Sequence, residues 1–298
     1  MSLVVYSIKE LERFSGIKAH TIRIWEQRYD LLRPTRTDTN IRRYSEEDLK
    51  RLLNAATLNR LGYKISRIAG MTRGETIDVL NREASENLQE VHQLNILKIS
   101  MLNFDEELFH SAIEADVQAN GIKHAVVDVL GPFLVQIGML WQTGVICPAH
   151  EHFVSNLIRQ FLCESIADQE VPKTGDAPLV LFLPDGEMHE LGLLYLHFLL
   201  RHEGMYSIYL GQAVPLNDLP QVQEKFPDAQ FVSYLVDKDS TKIRKLLKRI
   251  KDVVDPEKES SMNVIGQIVK DSGLKNTSWA RFYATSDDFL KYLQRNPV

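Results

Sequence analysis

Cysteine is almost missing from this chain. Cys147 and Cys163 are the two in 298 residues, so neither a disulfide framework nor a Cys-rich zinc site can be built. No unbroken apolar run reaches bilayer length and the first residues lack a signal-peptide pattern, so a cytoplasmic setting with no membrane partner is expected. An H-E-x-x-H pair is absent, as is any serine or cysteine nucleophile motif, and no self-contained catalytic constellation remains to make the chain an enzyme. What is present is an ordinary globular composition, 44% hydrophobic and 25% charged, on a chain long enough for two or three domains.

The charge is unevenly spread. Residues 1–75 hold 15 Lys and Arg against 9 Asp and Glu, while the remainder holds 20 against 31. A basic head on an acidic body implies that the head alone meets a polyanion.

Within that head, residues 6–53 read as helix, turn, helix, irregular segment, helix. Ser7 with Glu10 makes a capping box for a first helix striped by Ile8, Leu11 and Phe14. Gly16 allows the tight turn, and a second helix spans about Ala19 to Tyr29. Ile22 and Trp25 look inward at helical spacing, leaving His20, Thr21, Arg23 and Gln27 to face a groove of double-stranded DNA, followed by Arg28. "RPTRTDTNIRRYS" then packs four arginines and a tyrosine into thirteen residues. That suits a β-ribbon wing whose Arg36, Arg42 and Arg43, with Tyr44, reach phosphates or the minor groove. Ser45, three residues before Asp48, opens another helix. A merely solvated basic face is the plainer alternative, but helical layout, arginine-rich wing and local charge agree against it. The stretches "TIRIWEQRY" and "RPTRT…RRYS" resemble the winged-helix DNA-binding domain of the MerR family, in its vitamin B12-binding branch. Thr39 and Asn40 stand where relatives often carry glycines at the wing tip; Asn tolerates a left-handed turn, so the wing should survive.

From Glu75 to Gln169 the pattern is helical. Ile77, Leu80, Ala84, Leu88, Val91 and Leu94 fall on one stripe, either a linker or a dimer-forming helix. Helices at about Asp105–Ala119, Ile122–Trp141 and Pro148–Asp168 complete a four-helix bundle. His150 and His152 lie two apart on the last helix and therefore on different faces, which speaks against a shared metal. On this stretch alone, a capping Glu151 with satisfied histidines and a core Trp141 is the better reading.

After Ala177 the period changes. Short apolar runs at Leu179–Leu183, "YSIYLG", "AQFVSYLV", "NVIGQIV" and "ARFYAT" alternate with helical segments, which implies a doubly wound, mainly parallel, flavodoxin-like sheet. Ligands of such sheets sit beyond the carboxyl ends of the strands. Glu187-Met188-His189-Glu190-Leu191-Gly192 occupies that place after the first strand. A helix N-terminus there favours a neutral imidazole, and Glu187 would fix its tautomer. A lone loop histidine is more often simply exposed, so the residues alone leave the matter open.

This segment is similar to the cobalamin-binding domain of methionine synthase and its relatives, whose D/E-x-H-x-x-G motif supplies the lower axial cobalt ligand. The resemblance assigns His189 as that ligand, Glu187 as its acidic partner and Gly192 as the glycine. Ser233-Tyr234-Leu235 matches S-x-L, which makes Ser233 and Leu235 lining residues for the nucleotide tail. The later Gly-Gly is incomplete, with Gly266 followed by Gln267. Trp141, nine intervening residues, then Glu151-His152 matches the W-x9-E-H signature of light-sensing adenosylcobalamin-binding repressors of the MerR type. That resemblance implies a helical cap over the upper face of the corrin, with Trp141 against the adenosyl group, Glu151 near it and His152 as upper cobalt ligand after photolysis. His150 lies outside the signature and is expected to be exposed.

The expectation is therefore a cytoplasmic regulator in three parts: a winged helix over 1–75, a helical linker and bundle over 76–172, and a cobalamin-binding α/β domain over 173–298. It would self-associate as a dimer or tetramer under the control of adenosylcobalamin. The rivals are a regulator that kept the fold but senses another ligand or protein, which Gln267 motivates, and a corrinoid methyl carrier, which the DNA-binding head opposes.

Overall fold

A computed structural model of the chain describes residues 5–82, 86–142, 146–172, 177–235, 240–254, 262–266, 269 and 273–296. Two compact units result, Met1–Leu157 and Ile158–Val298.

The first unit opens with β1 (Val5–Tyr6), α1 (Ile8–Ser15), α2 (Ala19–Tyr29), β2 (Thr35–Arg36), β3 (Arg42–Ser45) and α3 (Glu46–Arg60). Both expected capping boxes form, Ser7 with Glu10 and Ser45 with Asp48. Gly16 ends α1 at φ 72°, the left-handed geometry that a glycine tolerates without a Cβ penalty. The strands pair antiparallel in the order β1-β3-β2. Asn40 takes φ 64° at the wing tip, and Thr37 N–H donates to Ile41 O at 2.9 Å to close it. Ile22 and Trp25 point inward as expected, joining Leu11, Leu31, Leu49 and Leu52 in the core.

Helices α4 (Ile65–Ala69), α5 (Arg73–Arg82) and α6 (Glu86–Asn103) follow. The single stripe expected from Ile77 to Leu94 is thus divided between two helices. Leu94 is buried; the side chains of Ile77, Leu80, Ala84, Leu88 and Val91 lie outside the described residues. Next come α7 (Glu106–Asn120) and α8 (Ile122–His124), which passes through a π-helical turn, Ala125–Leu130, into α9 (Gly131–Gln142). The helix α10 (Pro148–Ala167) begins in the first unit and ends in the second. The 20-residue stretch Ile122–Trp141 is long and apolar enough to cross a membrane by length and composition, with a mean hydropathy of 1.4 over its most apolar 18 residues. The sequence reading missed it because Lys123, Asp128 and Gln136 interrupt the apolar run. Val126, Val129, Leu130 and Phe133 are almost wholly buried within the unit, whereas Val135, Met139 and Trp141 are exposed, so one side of the stretch packs into the core.

The second unit holds β4 (Leu179–Pro184), α11 (Leu191–His202), β5 (Ser207–Val214), α12 (Leu219–Lys225), β6 (Gln230–Tyr234), α13 (Ser240–Val253), β7 (Met262–Ile265), β8 (Ala280–Tyr283) and α14 (Ser286–Arg295). All five strands are parallel, in the order β5-β4-β6-β7-β8. Such strands are buried on both faces, which is why β4 reads as an unbroken apolar run. One face packs Leu193, Leu196, Phe289 and Leu293 from α11 and α14. The other packs Leu219, Ile243, Leu247 and Ile250 from α12 and α13. Strand order reverses between β4 and β6, so a crevice opens beyond their carboxyl ends.

Candidate DNA interface and cobalamin site

On α2, His20, Arg23, Gln27 and Arg28 are exposed, and Thr21 is half-buried. Arg36 is exposed on the wing, where its Nη1 donates to Asn40 Oδ1 at 2.6 Å; Arg43 is half-buried. The remaining two expected contacts are placed otherwise. Tyr44 has no exposed surface, and its hydroxyl donates to Glu26 Oε2 at 2.8 Å. Arg42 directs Nε to both Glu26 oxygens, at 2.9 and 3.1 Å. The two therefore brace the wing against α2 instead of facing solvent. Strand alternation explains it: Arg42 and Tyr44 share one face of β3, and Arg43 takes the other. Glu26, unassigned in the sequence reading, is the hub. Its hydrogen bond, aided by its charge, holds the Arg42 guanidinium more firmly protonated, and burial, followed by the bond to Glu26, raises the Tyr44 phenol.

In the second unit the loop after β4 carries Glu187 and His189. His189 Nδ1 lies 2.6 Å from Glu187 Oε1, and the same oxygen accepts from the His189 backbone N–H at 2.9 Å. A carboxylate on Nδ1 selects the tautomer whose Nε2 keeps its lone pair, and the His189 side chain is 74% exposed. Its neighbour Glu190, also unassigned from sequence, is tied down by Arg159 of α10 at 2.6 Å and by the Tyr209 hydroxyl at 3.0 Å. No local pattern pairs residues 31 positions apart, so only the fold reveals this clamp.

Both expected glycines are sterically required. A Cβ on Gly192 would lie 2.7 Å from the Tyr234 ring, and one on Gly266, at φ 147°, would lie 2.2 Å from Leu235 O. Tyr234 packs on the α11 face of the sheet, whereas Leu235 belongs to the α12–α13 face, to which alternation also assigns Ser233. The structure thus brings His189, Glu187 and Gly192 together, and sets Ser233 and Leu235 at the same end of the sheet on its other side. Ser233 Oγ is buried with no hydrogen-bond partner among the described residues, an uncommon state for a buried hydroxyl. Gln267 lies outside the described residues. A free imidazole Nε2 at the switch point and an orphaned buried hydroxyl are donors that suit a cobalt corrinoid bearing a nucleotide tail.

In the helical region Trp141 is 55% exposed, which removes it from the core position that the stretch alone favoured. Glu151 Oε1 accepts from Ser155 at 2.7 Å, and Glu151 Oε2 lies 3.1 Å from Nδ1 of the exposed His152. His150 is half-buried, not exposed: its ring stacks on Phe104 at 4.7 Å, and burial lowers its pKa. Among the described residues no cluster of three His, Cys, Asp or Glu is arranged to hold a metal ion by itself.

Comparison with known proteins bears on both regions. Residues 6–75 match the model of the MerR HTH family regulatory protein, and residues 93–162 that of a B12 binding domain. The chain is 30% identical over 221 residues to the HTH-type transcriptional repressor CarH of Myxococcus xanthus, covering 72% of this chain and 73% of that protein. To the repressor CarA of the same organism it is 29% identical over 220 residues, covering 70% and 68%. The monomethylamine corrinoid protein of Methanosarcina barkeri shares the fold at a TM-score of 0.52 and 16% identity, over 67% of this chain and 95% of that one. With a MerR-type head, a B12-binding region and this extent of identity, the chain belongs to the B12-binding MerR-type transcription regulators of the CarH kind.

Proposed function

We propose that this regulator represses transcription in the cytoplasm under the control of adenosylcobalamin, and that light is the signal that releases it from DNA. The carrying observation is the Glu187–His189 pair at the switch point, a carboxylate-oriented imidazole with Nε2 free. When bound, the cofactor would supply a cobalt centre able to take an imidazole nitrogen and a light-sensitive cobalt–carbon bond. His189 would hold the lower cobalt position, with Glu187 fixing its ring. Ser233, Leu235 and Gly266 would border the nucleotide tail, and Gly192 would complete the motif beside His189. Trp141 and Glu151 would lie by the adenosyl group, with His152 offering a second imidazole that could hold the cobalt.

The domain limits are 1–75 for the DNA-binding head, 76–172 for the helical cap and 173–298 for the cobalamin domain. His20, Thr21, Arg23, Gln27 and Arg28 would enter the groove, while Arg36 and Arg43 would reach phosphates from the wing. Cofactor-stabilised dimers or tetramers would present several heads at once, and loss of that assembly would cost orders of magnitude in avidity.

The test pairs a visible spectrum with DNA binding. Full-length protein incubated with adenosylcobalamin in the dark should retain colour after desalting, change its spectrum on illumination and release duplex DNA. His189→Ala should alter the dark and illuminated spectra. A spectrum indifferent to that substitution removes His189 as ligand; equal DNA affinity before and after illumination removes the light switch. A colourless wild type would favour a regulator that senses something else.

A further inference from the structure

The first unit contains a polar cavity of about 80 Å³ between the DNA-binding head and the helices that follow it. Its walls are α1 (Phe14, Ser15), α3 (Leu53, Ala56, Thr57, Arg60), α6 (Leu94, Asn95, Lys98) and α9 (Gln136). Among those lining residues the charged groups are Arg60 and Lys98, and none of the others is a carboxylate. Arg60 spends one guanidinium nitrogen on the Ser15 carbonyl at 3.3 Å. Asn95 Nδ2 donates to Thr57 Oγ1 at 3.3 Å. Among the described residues Lys98 makes no hydrogen bond or ion pair. Two like charges without a counter-charge in a half-enclosed space are unfavourable unless something neutralises them. The volume is several times the minimum that a water needs.

We propose that this cavity is a binding site for a small oxyanion of the inorganic phosphate or sulfate class, held by Lys98 and Arg60 with Asn95 and Gln136 as amide donors. The anion would bridge α3 of the head to α6 of the helical region and fix the orientation of one on the other. It would therefore tune DNA binding from a place distinct from both the DNA-facing surface and the cobalamin residues. Burial, with Arg60 adding repulsion, lowers the Lys98 amine to about 8. Unliganded Lys98 thus loses its proton across the range in which the site would be used, and an anion that binds the ammonium form holds the proton on. Sulfate keeps its charge through this range, so its affinity should decline as pH rises past about 8.

Thermal unfolding of the full chain is measured against added phosphate, then sulfate, with chloride replacing either at constant ionic strength. A saturable rise in Tm with oxyanion, absent with chloride, is expected, and Lys98→Met should abolish it while leaving the fold intact, since it removes a desolvated charge. A second readout needs no variant: brief acetylation at pH 8 followed by mass spectrometry. Lys98 should react and be protected roughly tenfold by an oxyanion at ten times its Kd, while the exposed Lys9 is unprotected. Two results would overturn the site: no difference between oxyanion and chloride, or a saturable response that persists in Lys98→Met with Lys98 unprotected. The second would assign the anions to the basic DNA-facing surface.

Discussion

Replacing Glu26 separates local electrostatics from architecture, because the two make opposite forecasts. Glu26 lies on α2, the helix expected to enter the DNA groove, so deleting a negative charge there should by Coulomb's law alone tighten DNA binding. The structure forecasts the reverse. Glu26 is 11% exposed and accepts from Arg42 at 2.9 Å and from the buried Tyr44 hydroxyl at 2.8 Å. Glu26→Ala strands that hydroxyl without a partner, at about 1–3 kcal/mol, and releases a partly buried ion pair that contributes about 1 kcal/mol. A loss on the order of 3 kcal/mol follows, concentrated where the wing meets α2. The wing then no longer holds Arg36 and Arg43 in place. If each neutralises one phosphate, the slope of log affinity against log salt becomes shallower by about 2, and affinity falls about tenfold at moderate salt. Urea unfolding of the full chain, together with fluorescence anisotropy on a labelled duplex at several salt concentrations, reads both effects. Glu26→Gln, which keeps an acceptor for Tyr44, should fall between the two. Unchanged unfolding combined with tighter DNA binding would show that the wing does not depend on Glu26.

Gly266→Ala should destabilise the second unit by roughly 3 kcal/mol or more, since the new Cβ meets a backbone carbonyl that cannot step aside; a Tm within a degree of wild type would contradict the close approach. Gly192→Ala should cost about 1–3 kcal/mol through overpacking against Tyr234, and adding Tyr234→Ala should remove most of that clash; strict additivity in a double-mutant cycle would refute the contact. His197 is buried beside Ser207, and burial with Arg201 nearby lowers its pKa to about 4. Its folded pKa therefore lies below the unfolded value, so stability is full above about 6.5 and is lost as pH falls from there towards 4, by about 3 kcal/mol in total. His197→Gln should flatten that part of the profile of unfolding free energy against pH, and an unchanged profile would rule His197 out as its source.

The elements legible in the sequence are those whose cause is local. Ser7 with Glu10 and Ser45 with Asp48 announced helix starts because a capping box closes within four residues. Ile22 and Trp25 declared the inner face of α2 through their spacing, and the alternation of apolar runs with helices gave the parallel sheet. Tyr44 was also within reach, since alternation in β3 already sets it on the Arg42 face; charge density in the wing outweighed that signal. His150 was not. Helical geometry separated it from His152, but the face that is covered depends on Phe104, which stacks on it from the turn after α6.

The sequence by itself determined the order of parts, the basic sign of the head and the capped helices and apolar spacing that shape it. Each of these rests on residue chemistry or on spacing within a few turns. Tertiary structure decided which candidates are free to act. It withdrew Tyr44 and Arg42 onto Glu26, fastened Glu190 beside His189 to Arg159, left Ser233 buried with no partner among the described residues, and set Lys98 beside Arg60 in a cavity whose lining holds no acid. The reason is physical: burial and pairing depend on groups far apart in the chain, and the cost of an unpaired charge or hydroxyl exists only after packing has removed the water.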